Sequence, residues 1–268
     1  MFDRRYLVAL VVLSCTAILA SNSTAGVLVT TPPGDGVSGN GQSEAPFNLR
    51  GDGNGNRYQQ VYSASFFAGV GPLQSISSVA FRPKQGAFGS FISSTVTFDN
   101  LIVNLSTTPR TPTIDFRNGI SSDLDLNPGA DSQQVFGGPI TLTTDRLLFD
   151  SDVEDFDFKI AFQTPFLYRP SLGNLLLEVI VPAGVSASSN FTRLDTIIGG
   201  VSSFPGATGM ASARDANLTD GISIGSNTRT GLVTQFETEA VPEPATAAMF
   251  IGMVVLVGVQ SRRRRKRA

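Results

Sequence analysis

Histidine and tryptophan are absent from the 268 residues, and cysteine occurs once, at Cys15. Without histidine there is no Ser-His-Asp triad, no Cys-His dyad and no His-ligated zinc site, and a lone cysteine excludes a CxxC redox pair. The lack of tryptophan removes the largest stacking platform a sugar-binding cleft would use. Charged residues are also sparse, at 16%. Between the two ends no segment carries an apolar stripe of period 3.6, so amphipathic helices are not expected. What the chain does have is 41% hydrophobic residues, enough for a packed core, together with 27 Gly and 15 Pro to reverse direction often.

The formal charge of −2 hides a strong asymmetry. Arg4 and Arg5 stand near one terminus and Arg262, Arg263, Arg264, Arg265, Lys266 and Arg267 near the other. With these, Asp3 and Glu243 set aside, 12 basic and 20 acidic residues remain, a body of about −8. An acidic body lacks the basic stripe that neutralises phosphates, so nucleic acid is not an expected partner.

Both ends read as addresses. Arg4 and Arg5 precede an apolar run from Tyr6 to Ala20, followed by the small polar stretch Ser21 to Ala25. This is the pattern of a secretory signal over residues 1–25, read by the Sec translocon and a signal peptidase, with cleavage after Ala25 or after Ala20. The alternative of an uncleaved anchor needs a run nearer the roughly 20 residues of a full span. A lipoprotein site at Cys15 is a further alternative, although apolar sequence continues past it. If the segment is removed, the mature chain has no cysteine and no disulfide.

At the other end, Pro242-Glu243-Pro244 leads into an apolar stretch from Thr246 to Val259, then Gln260, Ser261 and the basic cluster Arg262 to Arg267. The prolines keep the tripeptide extended, and Pro244 suits the first turn of a following helix. Glu243 at that helix's start and the arginines at its end both complement the helix dipole. A helix from Ala245 to Gln260 would be about 24 Å long at 1.5 Å per residue, short of the roughly 30 Å hydrocarbon core. Such a segment suits a temporary membrane hold, with the basic cluster cytoplasmic and everything before Val241 outside.

Taken together, the tripeptide, apolar segment and Arg-rich end over residues 241–268 resemble the PEP-CTERM sorting signal of exopolysaccharide-producing Gram-negative bacteria. That resemblance implies an exosortase, an integral membrane protease, as the partner that recognises the tripeptide and processes the tail. It also implies delivery to the cell surface or matrix after transient residence in the inner membrane. Three stretches of the body, residues 55–62, 164–177 and 231–236, are similar to an uncharacterised group of such exported proteins, with no activity attached.

Residues 26–240 read as a single all-β domain. Phe156-Asp157-Phe158-Lys159-Ile160-Ala161-Phe162 alternates strictly, so the pleat would send four large apolar side chains to one face. Further strands are expected over Gln60 to Phe67, Ile76 to Arg82, Thr95 to Leu105, Ile140 to Thr144, Leu175 to Val181 and Leu232 to Thr238, with weaker ones near Val135, Ile197 and Ile222. In Thr95 to Leu105 the apolar phase switches between Val96, Phe98 and Leu101, Val103, Leu105, which predicts a bulge or tight turn at Asp99-Asn100. The near-continuous run Leu175 to Val181 fits a strand covered on both faces. Strands at this spacing without intervening helices predict an antiparallel β-sandwich or jelly roll. Residues 26–56 read as a loosely ordered arm, and Gly199 to Gly209 as a long loop.

For a metal, Asp52, Asn54 and Asn56 place oxygen ligands at alternate positions with glycine between, a pattern that can curl around Ca²⁺ but that a Gly/Asn turn also produces. Asp123, Asp125, Asn127 and Asp131 form a second such set, although Leu124 and Leu126 suggest a strand with a solvated polar face. The densest acidic run, Asp150 to Asp157, reads as a solvated loop. Tyr58, Tyr62 and Tyr168 would stack on a saccharide if exposed, and otherwise pack. The expectation is an exported structural or adhesive protein without enzymatic activity or an obligatory cofactor. A module binding extracellular polysaccharide is the first alternative. A carboxylate-dependent hydrolase, which needs two facing acids in a cleft, is the second.

Overall fold

The computed structural model describes residues 26–32, 41–43, 45–47, 55–84, 94–113, 118–144, 156–184, 187–189, 194–198, 210–215, 226–228 and 230–241. Within these the chain forms β1 (Val27–Thr31), β2 (Gly41–Ser43), β3 (Asn56–Tyr62), β4 (Gln74–Phe81), β5 (Ser94–Thr108), β6 (Gln133–Thr144) and β7 (Phe158–Tyr168). There follow β8 (Asn174–Val181), β9 (Ala187–Ser189), β10 (Leu194–Ile198), β11 (Met210–Asp215), β12 (Ser226–Thr228), β13 (Thr230–Leu232) and β14 (Thr234–Ala240). Single turns of 3-10 helix occur at Ala64–Phe67, Leu124–Leu126 and Pro170–Leu172.

The strands pair antiparallel into two packed sheets and a small third. One has the order β1-β14-β4-β7; the other runs β12-β11-β3-β8-β5-β6 with β9 on β5; the third is β13-β10-β2. The four-stranded sheet turns Val29, Phe236, Ile76, Val79, Phe81, Phe158 and Ile160 inward. The larger sheet answers with Tyr58, Tyr62, Phe98, Leu101, Val103, Leu177 and Val179, so one apolar core lies between them. This is the antiparallel β-sandwich that alternating strands without helices require.

Period-two expectations hold in detail. In β7 Phe158 and Ile160 are buried while Lys159 and Ala161 are exposed. In β5 the register against β6 slips between Phe98 and Leu101, a bulge at Asp99-Asn100 that keeps Val96, Phe98, Leu101, Val103 and Leu105 all in the core. β8 lies between β3 and β5. Its odd-numbered residues Leu175 to Val181 face the main core, whereas Leu176 joins a second cluster on the outer face with Val61, Ile120, Leu124, Ala211 and Ala213.

Four expectations are corrected. The strand read as Gln60 to Phe67 begins earlier and stops at Tyr62, because the Ser63 hydroxyl takes the Ser65 amide and caps a 3-10 turn. Asp123 to Asn127 is not a strand: the Asp123 carboxylate accepts from the Asp125 amide and starts a 3-10 turn that inserts Leu124 into the outer cluster. Leu232 to Thr238 is two strands, broken at Val233, where the chain passes from the small sheet to the four-stranded one. Within the segment read as an arm, β2 pairs with β10, and Phe47 packs against Phe81, Phe98 and Phe158 at centroid separations of 5.2, 5.8 and 6.2 Å. Two close approaches shape the loops. A Cβ on Gly129 would stand 1.7 Å from the Thr107 carbonyl oxygen, and one on Gly173 would stand 2.7 Å from that of Thr108.

Candidate functional site

The termini of the described body meet at one end of the four-stranded sheet. β1 runs antiparallel to β14 with Val27 opposite Thr238, so the chain following the expected signal segment enters beside the strand that leaves. Ala240 is opposite Gln74, which is opposite Tyr168. The amide of Val241 then donates to the Leu73 carbonyl at 2.9 Å, so the body holds the chain up to the residue before Pro242. No linker separates sheet from tripeptide. Pro242, Glu243, Pro244 and the basic residues Arg262 to Arg267 lie outside the described residues, as do residues 1–25 and Cys15. Among the described residues no helix is long and apolar enough to cross a membrane.

Of the calcium candidates, Asp52 and Asn54 lie outside the described residues. Asn56 opens β3, is buried, and donates its amide to the Pro46 carbonyl at 2.5 Å, so it serves the packing of the 45–47 turn. Among the described residues no three acidic, His or Cys side chains gather as a metal site. The second set is dispersed: Asp125 pairs with Arg57, Asp131 accepts the Thr107 amide, and Asn127 is buried. From the dense acidic run, Asp157 takes the Thr144 hydroxyl, and Asp150 to Asp155 lie outside the described residues. The weaker strand near Ile222, the loop 199–209 and Phe204 also lie there.

Two buried carboxylates were not distinguishable in the sequence. Glu178, on the outer face of β8, accepts from Arg57 Nε at 2.7 Å, Gln59 Nε2 at 2.6 Å and Asn104 Nδ2 at 2.7 Å. Asn127 donates to Gln59 Oε1 at 2.8 Å, which extends the network to the 118–132 loop and fastens it over the sheet. Burial works against the Arg57 cation, yet hydrogen bonds and charge from Asp125 and Glu178 hold its pKa above the ordinary arginine value. Asp195, on β10, receives Arg82 and Lys84 and ties the end of β4 to the small sheet. Glu178 is committed to arginine and two side-chain amides and Asp195 to arginine and lysine, the arrangement of a structural clamp. The signal for the first lay in register: Gln59, Glu178 and Asn104 are lateral neighbours, visible only once strands are paired.

The tyrosines do not offer a sugar platform. Tyr58, Tyr62 and Tyr168 are buried, as is Phe166. Tyr62 accepts from the Thr234 hydroxyl at 3.0 Å, and Thr234 is hydrogen-bonded to Thr31 at 2.7 Å, a chain of hydroxyls linking the two sheets. Tyr168 donates to the Gly173 carbonyl at 2.8 Å. Burial raises the pKa of both phenols, with the neighbouring Tyr58 adding at Tyr62 and Asp131 adding at Tyr168. The exposed polar surface is instead threonine: Thr95 faces Thr143 and Thr97 faces Thr141, their hydroxyls 3.2 and 3.0 Å apart.

The class defined by these features is an antiparallel β-sandwich domain whose last strand delivers a processing signal at its edge. That signal is the PEP-CTERM protein-sorting motif, whose family model matches residues 240–265, starting at the final residue of β14. The motif indicates exosortase-dependent sorting and places the protein among those exported to the cell surface. It covers under a tenth of the chain. No curated protein matches the sequence.

Proposed function

We propose that this protein is a non-catalytic structural or adhesive component of the cell surface or extracellular matrix. Residues 1–25 direct it through the Sec translocon and are removed by signal peptidase. The apolar segment after Pro244 holds it in the inner membrane until an exosortase acts. The observation that carries this reading is the sorting motif starting on the last residue of a sandwich strand. A missing histidine and two buried carboxylates neutralised by arginine support a scaffold over an enzyme.

The test is complementation of a strain lacking the protein. Wild type restores surface-matrix cohesion, whereas a variant with Pro242, Glu243 and Pro244 replaced by alanine stays in the membrane fraction and does not. The reading fails if loss of the protein leaves the matrix unchanged or if the variant restores it. A second reading, binding to extracellular polysaccharide, is favoured by the paired threonine hydroxyls of β5 and β6. It predicts retention on matrix glycan that is lost when Thr97 and Thr141 become valine.

A further inference from the structure

Among the described residues, the large hydrophobic side chains left exposed are Val27, Leu28, Leu126, Leu167 and Leu172. Single exposed leucines are ordinary on a soluble protein; their distribution here is not. Val27 and Leu28 stand opposite Thr238 and Glu237, within three residues of the end of β14. Leu167 is opposite Ser75, which is opposite Glu239. Leu172, 70% exposed, is in the 3-10 turn that follows Tyr168. Leu126 lies apart from these, on the outer face of the larger sheet between Asp125, which pairs with Arg57, and Asn127, which donates to Gln59. The other four thus lie within about 10 Å, at 3.3 Å per strand residue, of the end from which Val241 departs. The far end of β7 is about 33 Å away, and among the described residues it shows no exposed large hydrophobic side chain.

We propose that this end of the sandwich is a lipid-facing surface, resting on the headgroups of the bilayer that holds the carboxy-terminal segment. The proposal rests on the reading of residues 246–259 as membrane-held. Val241 is fastened to Leu73, and Thr246 begins the apolar stretch. Five residues fully extended span at most about 18 Å, while the interfacial layer beyond the hydrocarbon is itself about 5–8 Å deep. The domain therefore stands no more than about 10 Å beyond the headgroups, and the end that faces them is the one carrying the leucines. Arg110 and Arg169 are balanced at this end by Asp131 and Glu239, so apolar contact rather than charge carries the apposition. Neutral lipid suffices, and salt does not release the contact.

The test uses the full chain with Cys15→Ser and one new cysteine at a time: Leu167→Cys, Leu172→Cys or Thr143→Cys. Thr143 is exposed at the opposite end, one residue before the Thr144 that bonds Asp157 at the start of β7. Each is labelled with an environment-sensitive fluorophore and reconstituted into phosphatidylcholine vesicles carrying lipid-borne quenchers. The expected result is blue-shifted, quenched emission at 167 and 172 and unshifted, unquenched emission at 143, unchanged in high salt. Flotation with the vesicles combined with water-like emission at all three positions overturns the lipid-facing surface while leaving the tail reading intact. Failure to float overturns the tail reading and this proposal together. Quenching that appears only in membranes containing the exosortase assigns the surface to that protein and overturns the lipid assignment.

Discussion

Replacing Asp195 with asparagine removes one charge from the most enclosed ionic cluster among the described residues. The side chains of Arg82 and Asp195 are 1% and 2% exposed. Arg82 donates to Asp195 Oδ2 from Nε at 3.0 Å and from Nη2 at 2.7 Å, while Lys84 donates to Oδ1 at 3.1 Å. The Phe156 ring, 5.6 Å from the guanidinium carbon, covers another side of the arginine. Asparagine keeps the shape but turns a donor toward a cation and removes the Asp195 charge from beside Arg82. Breaking a buried pair from one side costs about 3–5 kcal/mol. Lys84, the more exposed of the two cations, can turn to water, which argues for the lower figure, about 3 kcal/mol. With a urea m-value of about 2–3 kcal/mol/M, the unfolding midpoint should fall by roughly 1–1.5 M without a change in slope. Urea titration followed by circular dichroism reads this directly. Glu237→Gln, at the exposed Lys159 pair, is the control and should shift stability by no more than about 0.5 kcal/mol. Arg82→Met combined with Asp195→Leu should recover most of the loss, because a matched apolar pair carries no desolvation cost. If Asp195→Asn moves the midpoint no further than Glu237→Gln, the cluster is not the clamp described here.

Other outcomes follow from the core. Phe47→Ala should cost about 3–5 kcal/mol, as for a fully enclosed aromatic, whereas a loosely ordered arm would tolerate it; thermal unfolding distinguishes the two. Tyr62 and Tyr168 have raised phenol pKa values in the folded chain, so their contribution is fully present below the ordinary tyrosine value of 10.0 and is lost as pH rises above it. Ultraviolet titration should therefore show two phenols ionising only together with alkaline unfolding, and their free titration in the folded protein would contradict their burial. Gly129→Ala should destabilise strongly, since the added Cβ meets the Thr107 backbone rather than a movable side chain.

Much of the sandwich was legible because a strand's faces alternate. Val96 and Phe98 against Leu101, Val103 and Leu105 announced a bulge before any partner was known, and the apolar run Leu175 to Val181 announced a strand covered twice. What failed did so for local and long-range polar reasons. Asp123 to Asn127 alternates like a strand, but a carboxylate capping its own neighbouring amide is cheaper than an extended chain there. Gln59 and Gln60 look solvent-facing by type, and both are buried: Gln60 exchanges hydrogen bonds with the Leu232 backbone 172 residues away. Such partners have no signature in a single sequence. The candidate site divides in the same way. The sorting signal is a contiguous linear pattern and was readable, whereas the Glu178 and Asp195 clamps exist only through strand pairing.

The intact mass of the protein recovered from the cell surface tests exosortase-dependent sorting most directly. Processing predicts a chain that ends near Pro242 to Pro244 and has lost Arg262 to Arg267. A surface protein whose mass requires every residue through Ala268 would contradict it.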